Sequence, residues 1–225
     1  RVKKLGTPRP GGGVTAPERA TARIGSRRRH SVESFRSAAE TIGDISHGAS
    51  IFAVTRGQFS MIDAILHVMS QVGRCDISLW TWTIADYEIQ AFSALRRDDR
   101  IRAGLLVIDR SARNKNMPLI QSWRAGFGPE SVRYVANHAK SATVEGGGFK
   151  VLLRGSMNLN YNPRFEQFDL TEGGEDFELV RRIERGLPIL ADDASNSAIY
   201  EASGVTGAFD AADLAAFSGV RRWAK

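Results

Sequence analysis

Ser50-Ile-Phe-Ala-Val-Thr55, Ser60-Met-Ile-Asp-Ala-Ile-Leu-His-Val-Met-Ser-Gln-Val-Gly73 and Asp76-Ile-Ser-Leu-Trp-Thr-Trp82 follow one another, and their three patterns decide the fold. The first is a short apolar run rich in β-branched residues, the composition of a buried strand. In the second, Ile62, Ile65, Leu66, Met69 and Val72 recur at helical spacing. Ser60 caps its start, Asp63 stands at the third position, and Gly73 ends it. The third is again a strand. Strand, helix, strand in this order predicts an α/β layered domain with parallel strands at its start.

Outward from this stretch the alternation continues. Residues 86–96 read as a helix, Ile101–Ile108 as a strand and 117–125 as a helix. After Gly128-Pro129 the pattern changes to close-set strands at Ser131–Ala136, His138–Glu145 and Phe149–Arg154, with Gly146-Gly147-Gly148 as a turn. Phe165–Thr171 is a further strand and 175–185 a helix. Upstream, 31–43 reads as a helix with Ser31 at its N-cap and Phe35, Ala38, Ala39 and Ile42 on one face. The expected architecture is a layered α/β/α sandwich around a mixed sheet, parallel in its first half and hairpin-paired in its second. It occupies 31–190. The Ala-, Ser- and Asp-rich residues 191–225 form a C-terminal extension with a short helix at 210–217.

Charge is unevenly placed. Residues 1–30 carry nine Lys or Arg against the single acid Glu18, and the remaining chain carries 22 basic and 24 acidic residues. With Pro8, Pro10, Gly11-Gly12-Gly13 and Pro17, this N-terminal segment is too polar to pack and is expected to be a disordered arm. Lys3, Lys4, Arg27, Arg28 and Arg29 suit a polyanion, DNA above all, bound through counterion release. No run of about 18 apolar residues suggests a membrane span, and no charged-then-apolar leader is visible. The lone Cys75 lies in an apolar stretch and is expected to be a buried thiol, with no internal disulfide. A cytoplasmic protein without a membrane partner is the expectation.

The chemistry concentrates at His138-Ala139-Lys140 and Gly155-Ser156-Met157-Asn158. On a strand, residues two apart share a face. A return strand then brings a hydroxyl and an amide beside the imidazole and the ammonium. Such a set suits a phosphodiester: a nucleophile for phosphorus, and cationic and neutral donors for its oxygens. The four histidines (30, 47, 67 and 138) show no metal-ligand spacing, so no metal or other cofactor is expected. Trp82 falls at a strand end, where α/β sites gather, and is a core-edge residue or a base-stacking one. Arg56-Gly57-Gln58 is a connecting loop before a helix N-terminus.

The order His-x-Lys, four residues, an acid, a turn, Gly-Ser-x-Asn and a further acid resembles the phospholipase D-like superfamily over 130–172. Two departures stand out. Glu145 occupies the position of an Asp, and the stretch 146–154 before Gly155 is longer than the family pattern. Carried onto this chain, the resemblance implies that His138 attacks phosphorus and becomes a phosphohistidine. Lys140 and Asn158 hold the non-bridging oxygens, Ser156 adds a hydrogen bond, Glu166 orients the imidazole, and Glu145 has a supporting place. It also implies that 31–190 is a catalytic domain. The chemistry needs a second imidazole for the leaving oxygen, and the chain has one His-x-Lys. A homodimer with two His138 rings facing one phosphate is therefore expected. The run Arg154–Arg164 is similar to phage-encoded members of the group. The expected activity is a metal-independent nuclease. The alternative is a catalytically inactive nucleic-acid-binding or structural protein that keeps the fold.

Overall fold

The computed structural model describes residues 29–33, 37–160 and 164–204. The expected arm up to Arg28, including Lys3, Lys4 and Arg27, and the expected helix 210–217 lie outside the described residues.

Eight strands form one sheet in the order β1-β2-β8-β7-β6-β3-β4-β5. They are β1 (Arg29–Glu33), β2 (Ser50–Thr55), β3 (Cys75–Thr81), β4 (Ile101–Asp109), β5 (Val132–Val135), β6 (Ser141–Gly146), β7 (Phe149–Gly155) and β8 (Glu166–Glu172). The helices are α1 (Ala38–Ile42), α2 (Met61–Val72), α3 (Asp86–Arg97), α4 (Arg110–Phe127), α5 (Glu175–Gly186) and α6 (Asn196–Ala202). A 3-10 turn, Pro129–Ser131, leads into β5. The class is mixed α/β, as the sequence implies.

β3, β4 and β5 are parallel neighbours, and β6, β7 and β8 are antiparallel. The helix α2 has the boundaries its sequence announces. Asp63 accepts hydrogen bonds from the Ser60 backbone and hydroxyl at 2.7 and 2.8 Å, and Gly73 ends it at φ 73°. β2 and β3, however, are not neighbours. β8, β7 and β6 lie between them, with β2 bonded antiparallel to β8 and β3 antiparallel to β6.

The main core lies on one face of the sheet. Ile77, Leu79, Val144, Leu153 and Phe168 pack with Ile65 and Met69 of α2, Phe92 of α3 and Trp123 of α4. The opposite face is more polar. It presents Ser78, Trp80, Thr143 and Arg154, the strand positions that alternate with the core residues. Helix α5 lies over it, with Phe177 buried and Glu184 accepting from the Ser78 hydroxyl and, at 2.8 Å, from the Trp80 indole.

Three expectations are corrected. Residues 31–43 are not one helix. Arg29–Glu33 is a strand paired parallel to β2, and α1 begins only after Ser37, whose side chain forms a reciprocal cap with Glu40. Backbone pairing with β2 outweighs local helical preference. The boundary of the arm at residue 30 accordingly falls inside a strand. The helix expected at 117–125 is the second half of α4. Pro118 forces a break at Asn116, φ −120°, but Asp109 caps a helical turn upstream of it. Residues 191–204, expected as part of a separate C-terminal extension, are tied to the sheet. Asp192 accepts from Arg124 and from the Tyr134 hydroxyl, and Ile199 of α6 is fully buried.

Candidate active site

The carboxyl ends of β2, β3, β4, β5 and β7 meet the amino ends of β6 and β8 along one edge of the sheet. Ligands of open α/β sheets bind along such an edge, and His138, Lys140, Ser156 and Glu166 stand there.

His138 and Lys140 are not on a strand. Residues 136–140 belong to no strand or helix and lead directly into β6. What replaces sheet pairing is Asn137, which is buried. Its amide donates to the Thr81 carbonyl at 3.0 Å and the Ala139 carbonyl at 3.2 Å, and its oxygen accepts from the Ala139 N–H at 2.9 Å. The Asn137 N–H donates to Asp109 Oδ2 at 2.8 Å, while Asp109 Oδ1 accepts from the Ser111 N–H at 2.8 Å. One buried carboxylate thus caps α4 and holds the backbone immediately before His138. The two side chains meet through contact rather than through strand geometry. Lys140 Nζ stands 3.1 Å from His138 Nδ1 and 3.5 Å from Nε2, and donates to the His138 carbonyl at 2.8 Å. The His138 ring itself is exposed.

Burial lowers the proton affinity of Lys140, and the charge of Glu166 partly restores it. The net direction is downward, because partial removal from water disfavours the charged ammonium more than Glu166 favours it.

Ser156 and Glu166 come together across the crossing of β7 and β8. The Ser156 hydroxyl donates to Glu166 and accepts from the Gln167 N–H at 3.0 Å. Gly155 permits this crossing, since a methyl there would run into the Gln167 carbonyl and the Phe168 backbone. The Gly155 N–H donates to the Lys140 carbonyl at 3.0 Å, which joins the two halves of the site. Glu166 thus has Ser156 as a partner in addition to its charge on Lys140.

Asn158 lies between Met157 and Leu159, both buried. Leu159 is bridged to Ile84 and bonded to Thr81, so the loop is fastened to the end of β3. The Asn158 side-chain oxygen is buried without a hydrogen-bonding partner among the described residues.

Glu145 does not join this group. It sits near the far end of β6, opposite Asp76 and Lys150, with its carboxylate 4.0 Å from Lys150. Arg29, assigned to the arm from sequence, is the first residue of β1. His47 stacks on Phe149 and His67 is within 2.8 Å of the Gly43 carbonyl, so both have local structural partners. Among the described residues no group of three or more His, Cys, Asp or Glu side chains is placed to hold a metal ion.

The sequence reading passed over Asn137 and Asp109. Their signals were present: an amide directly before the histidine, and an Asp-x-Ser helix start at 109–111. A cleft of about 410 Å³ opens beside Lys140 on the polar face of the sheet, lined by Arg154, Asp169, Gln167, Leu152 and Leu179 among others. Among the described residues no helix is long and apolar enough to cross a membrane.

No protein-family model matches the chain, and no curated protein is significantly similar to it.

Proposed function

We propose that the protein is a metal-independent phosphodiesterase of the phospholipase D-like type, acting on nucleic acid. One observation carries this reading: an exposed imidazole and a half-buried lysine amine in contact at the carboxyl edge of the sheet, joined through Gly155 to a serine–glutamate pair. Phosphoryl transfer needs little covalent machinery beyond a nucleophile and fixed positive and dipolar groups around the oxygens.

In the free protein the Lys140 amine rests on the imidazole and on the His138 carbonyl. A phosphodiester oxygen carries negative charge and is a stronger acceptor than either. When it arrives, the amine turns to it and leaves a ring nitrogen of His138 free to attack. The nitrogen–phosphorus bond forms as the bond from phosphorus to the leaving oxygen breaks. That oxygen takes a proton from the His138 of a second copy. The same second imidazole, now neutral, removes a proton from water, which attacks phosphorus and releases His138. Asn158 supplies a neutral donor, Ser156 holds Glu166 in place, and Glu166 balances the charge of Lys140.

The nucleic-acid reading is supported by the eight Lys and Arg residues within positions 1–28. The test is hydrolysis of DNA and of bis(p-nitrophenyl) phosphate, with and without EDTA. Wild type is expected to cleave both at a rate EDTA leaves unchanged. His138→Ala is expected to lose more than about a thousandfold in kcat while still binding DNA. A wild type that cleaves neither substrate favours the non-enzymatic nucleic-acid-binding alternative.

A further inference from the structure

The described residues expose few large apolar side chains, and the aromatic ones among them are not scattered. Trp82 is 46%, Tyr87 67%, Phe165 67% and Tyr200 36% exposed. Trp82 follows the end of β3, and Tyr87 lies in the first turn of α3. Phe165 immediately precedes Glu166. Tyr200 lies under the guanidinium of Arg110, the first residue of α4, at 4.6 Å. All four therefore stand at the carboxyl edge, where His138 and Lys140 are.

Two of them neighbour residues of the site, Trp82 in space and Phe165 along the chain. The Trp82 ring centroid is 5.9 Å from that of His138, at an interplanar angle of 40°. The indole is not free to swing. Its N–H donates to the Ser111 hydroxyl at 3.1 Å, and Ser111 is held by Asp109, the same carboxylate that fixes the backbone before His138. Phe165 directly precedes Glu166 in the chain and lies 4.9 Å under the guanidinium carbon of Arg56. An exposed tryptophan that is pinned at its polar tip and open on its ring face suits stacking. A buried or loosely tethered side chain would not.

We propose that the site takes single-stranded nucleic acid, with the bases on either side of the bound phosphate stacking on Trp82 and Phe165. A groove of alternating charge and aromatic faces binds unpaired bases without reading their identity. In a duplex those faces are already covered by neighbouring base pairs. This inference rests on the phosphodiesterase reading for the position of the phosphate.

The test is a binding measurement on the full chain carrying His138→Ala, so that no probe is consumed. Three probes of equal length are used: a thymidine oligonucleotide, the same strand made abasic, and a duplex. The thymidine strand is expected to bind most tightly. Adding Trp82→Ala or Phe165→Ala should weaken it by about 5- to 150-fold, the loss of one stacked base. Affinity for the abasic strand should stay unchanged, and Trp82→Phe should restore most of the loss. Equal affinity for thymidine and abasic strands overturns the proposal. So does a Trp82→Ala variant that weakens both alike, or one that sediments as a monomer where the parent is a dimer, which would make the indole an interface residue. Failure of wild type to hydrolyse any phosphodiester would sink the enzymatic reading alone, because base-dependent binding is measured without turnover.

Discussion

Lys140 ties together the local chemistry and the pH behaviour of the site. Its proton affinity is lowered by burial, so the ammonium is lost at a lower pH than in an ordinary lysine, near 10.4. Only the charged form stabilises phosphate oxygens. Activity should therefore decline on the alkaline side before that value is reached. Lys140→Arg, which stays charged, should abolish the decline even if its absolute rate is lower. Glu166→Gln removes the carboxylate that raises the lysine's proton affinity, and should move the decline to still lower pH. A profile of kcat/KM against pH checks all three, and a wild-type plateau through pH 10.4 would contradict the argument. Two further residues make separate predictions. Burial pushes the Cys75 thiol up to about 11, so the folded protein should resist a thiol reagent at pH 8 and react when denatured. Gly155→Ala places a methyl against the Gln167 carbonyl. The β7–β8 crossing must open, and both the melting temperature and the hydrolytic rate should fall.

The element that guards the polar face is α5. It is attached through Glu184, whose side chain is 2% exposed and accepts from Ser78, Trp80 and, at 2.7 Å, Arg181. Glu184→Ala leaves the half-buried Trp80 indole N–H without its acceptor and the Ser78 hydroxyl with Thr143 alone, and should cost about 1–3 kcal/mol in a denaturant titration. A change near zero would mean that Phe177 and the Lys150–Glu178 and Arg154–Asp176 ion pairs hold the helix without Glu184. By contrast Asp63→Ala removes only a cap, and should cost about 1 kcal/mol. The two helices differ in how legible they were. α2 carried its start, its face and its stop in adjacent residues. α5 has an acidic first turn and an apolar stripe, yet Glu184 interrupts that stripe as a buried charge. Nothing in the local sequence announces that Ser78 and Trp80 will meet it. Likewise the first half of α4 was obscured by Pro118, because the break it causes looks locally like a beginning.

For the molecule as a whole, a single His-x-Lys requires two copies to complete the proposed reaction. Sedimentation should show a dimer, and mixing His138→Ala with wild type should lower activity more than dilution does. A strict monomer that hydrolyses diesters would refute the shared site. Removing residues 1–28 should flatten the salt dependence of DNA binding, with a slope reduced by about 0.7–0.9 for each phosphate the arm neutralises. It should leave the fold intact. Cutting on through Glu33 strips β1 from β2 and should lower stability as well.

The amino-acid order by itself determined the alternation of strands and helices from Ser50 to Ile108. It also determined the hairpin about Gly147 and the pieces of the site at 138–140, 155–158 and 166. Those features depend on periodicity, caps and turns, which act over a few residues. Only the tertiary structure decided that β8, β7 and β6 separate β2 from β3, that Arg29–Glu33 is a strand, and that Glu145 stands far from His138. It alone also set His138 against Lys140 through Asn137 and Asp109 rather than through strand alternation, and gathered the exposed aromatics along one edge. Pairing between segments over a hundred residues apart, such as Ser50 with Thr171, is settled by which faces can be buried together, and no local pattern encodes that choice.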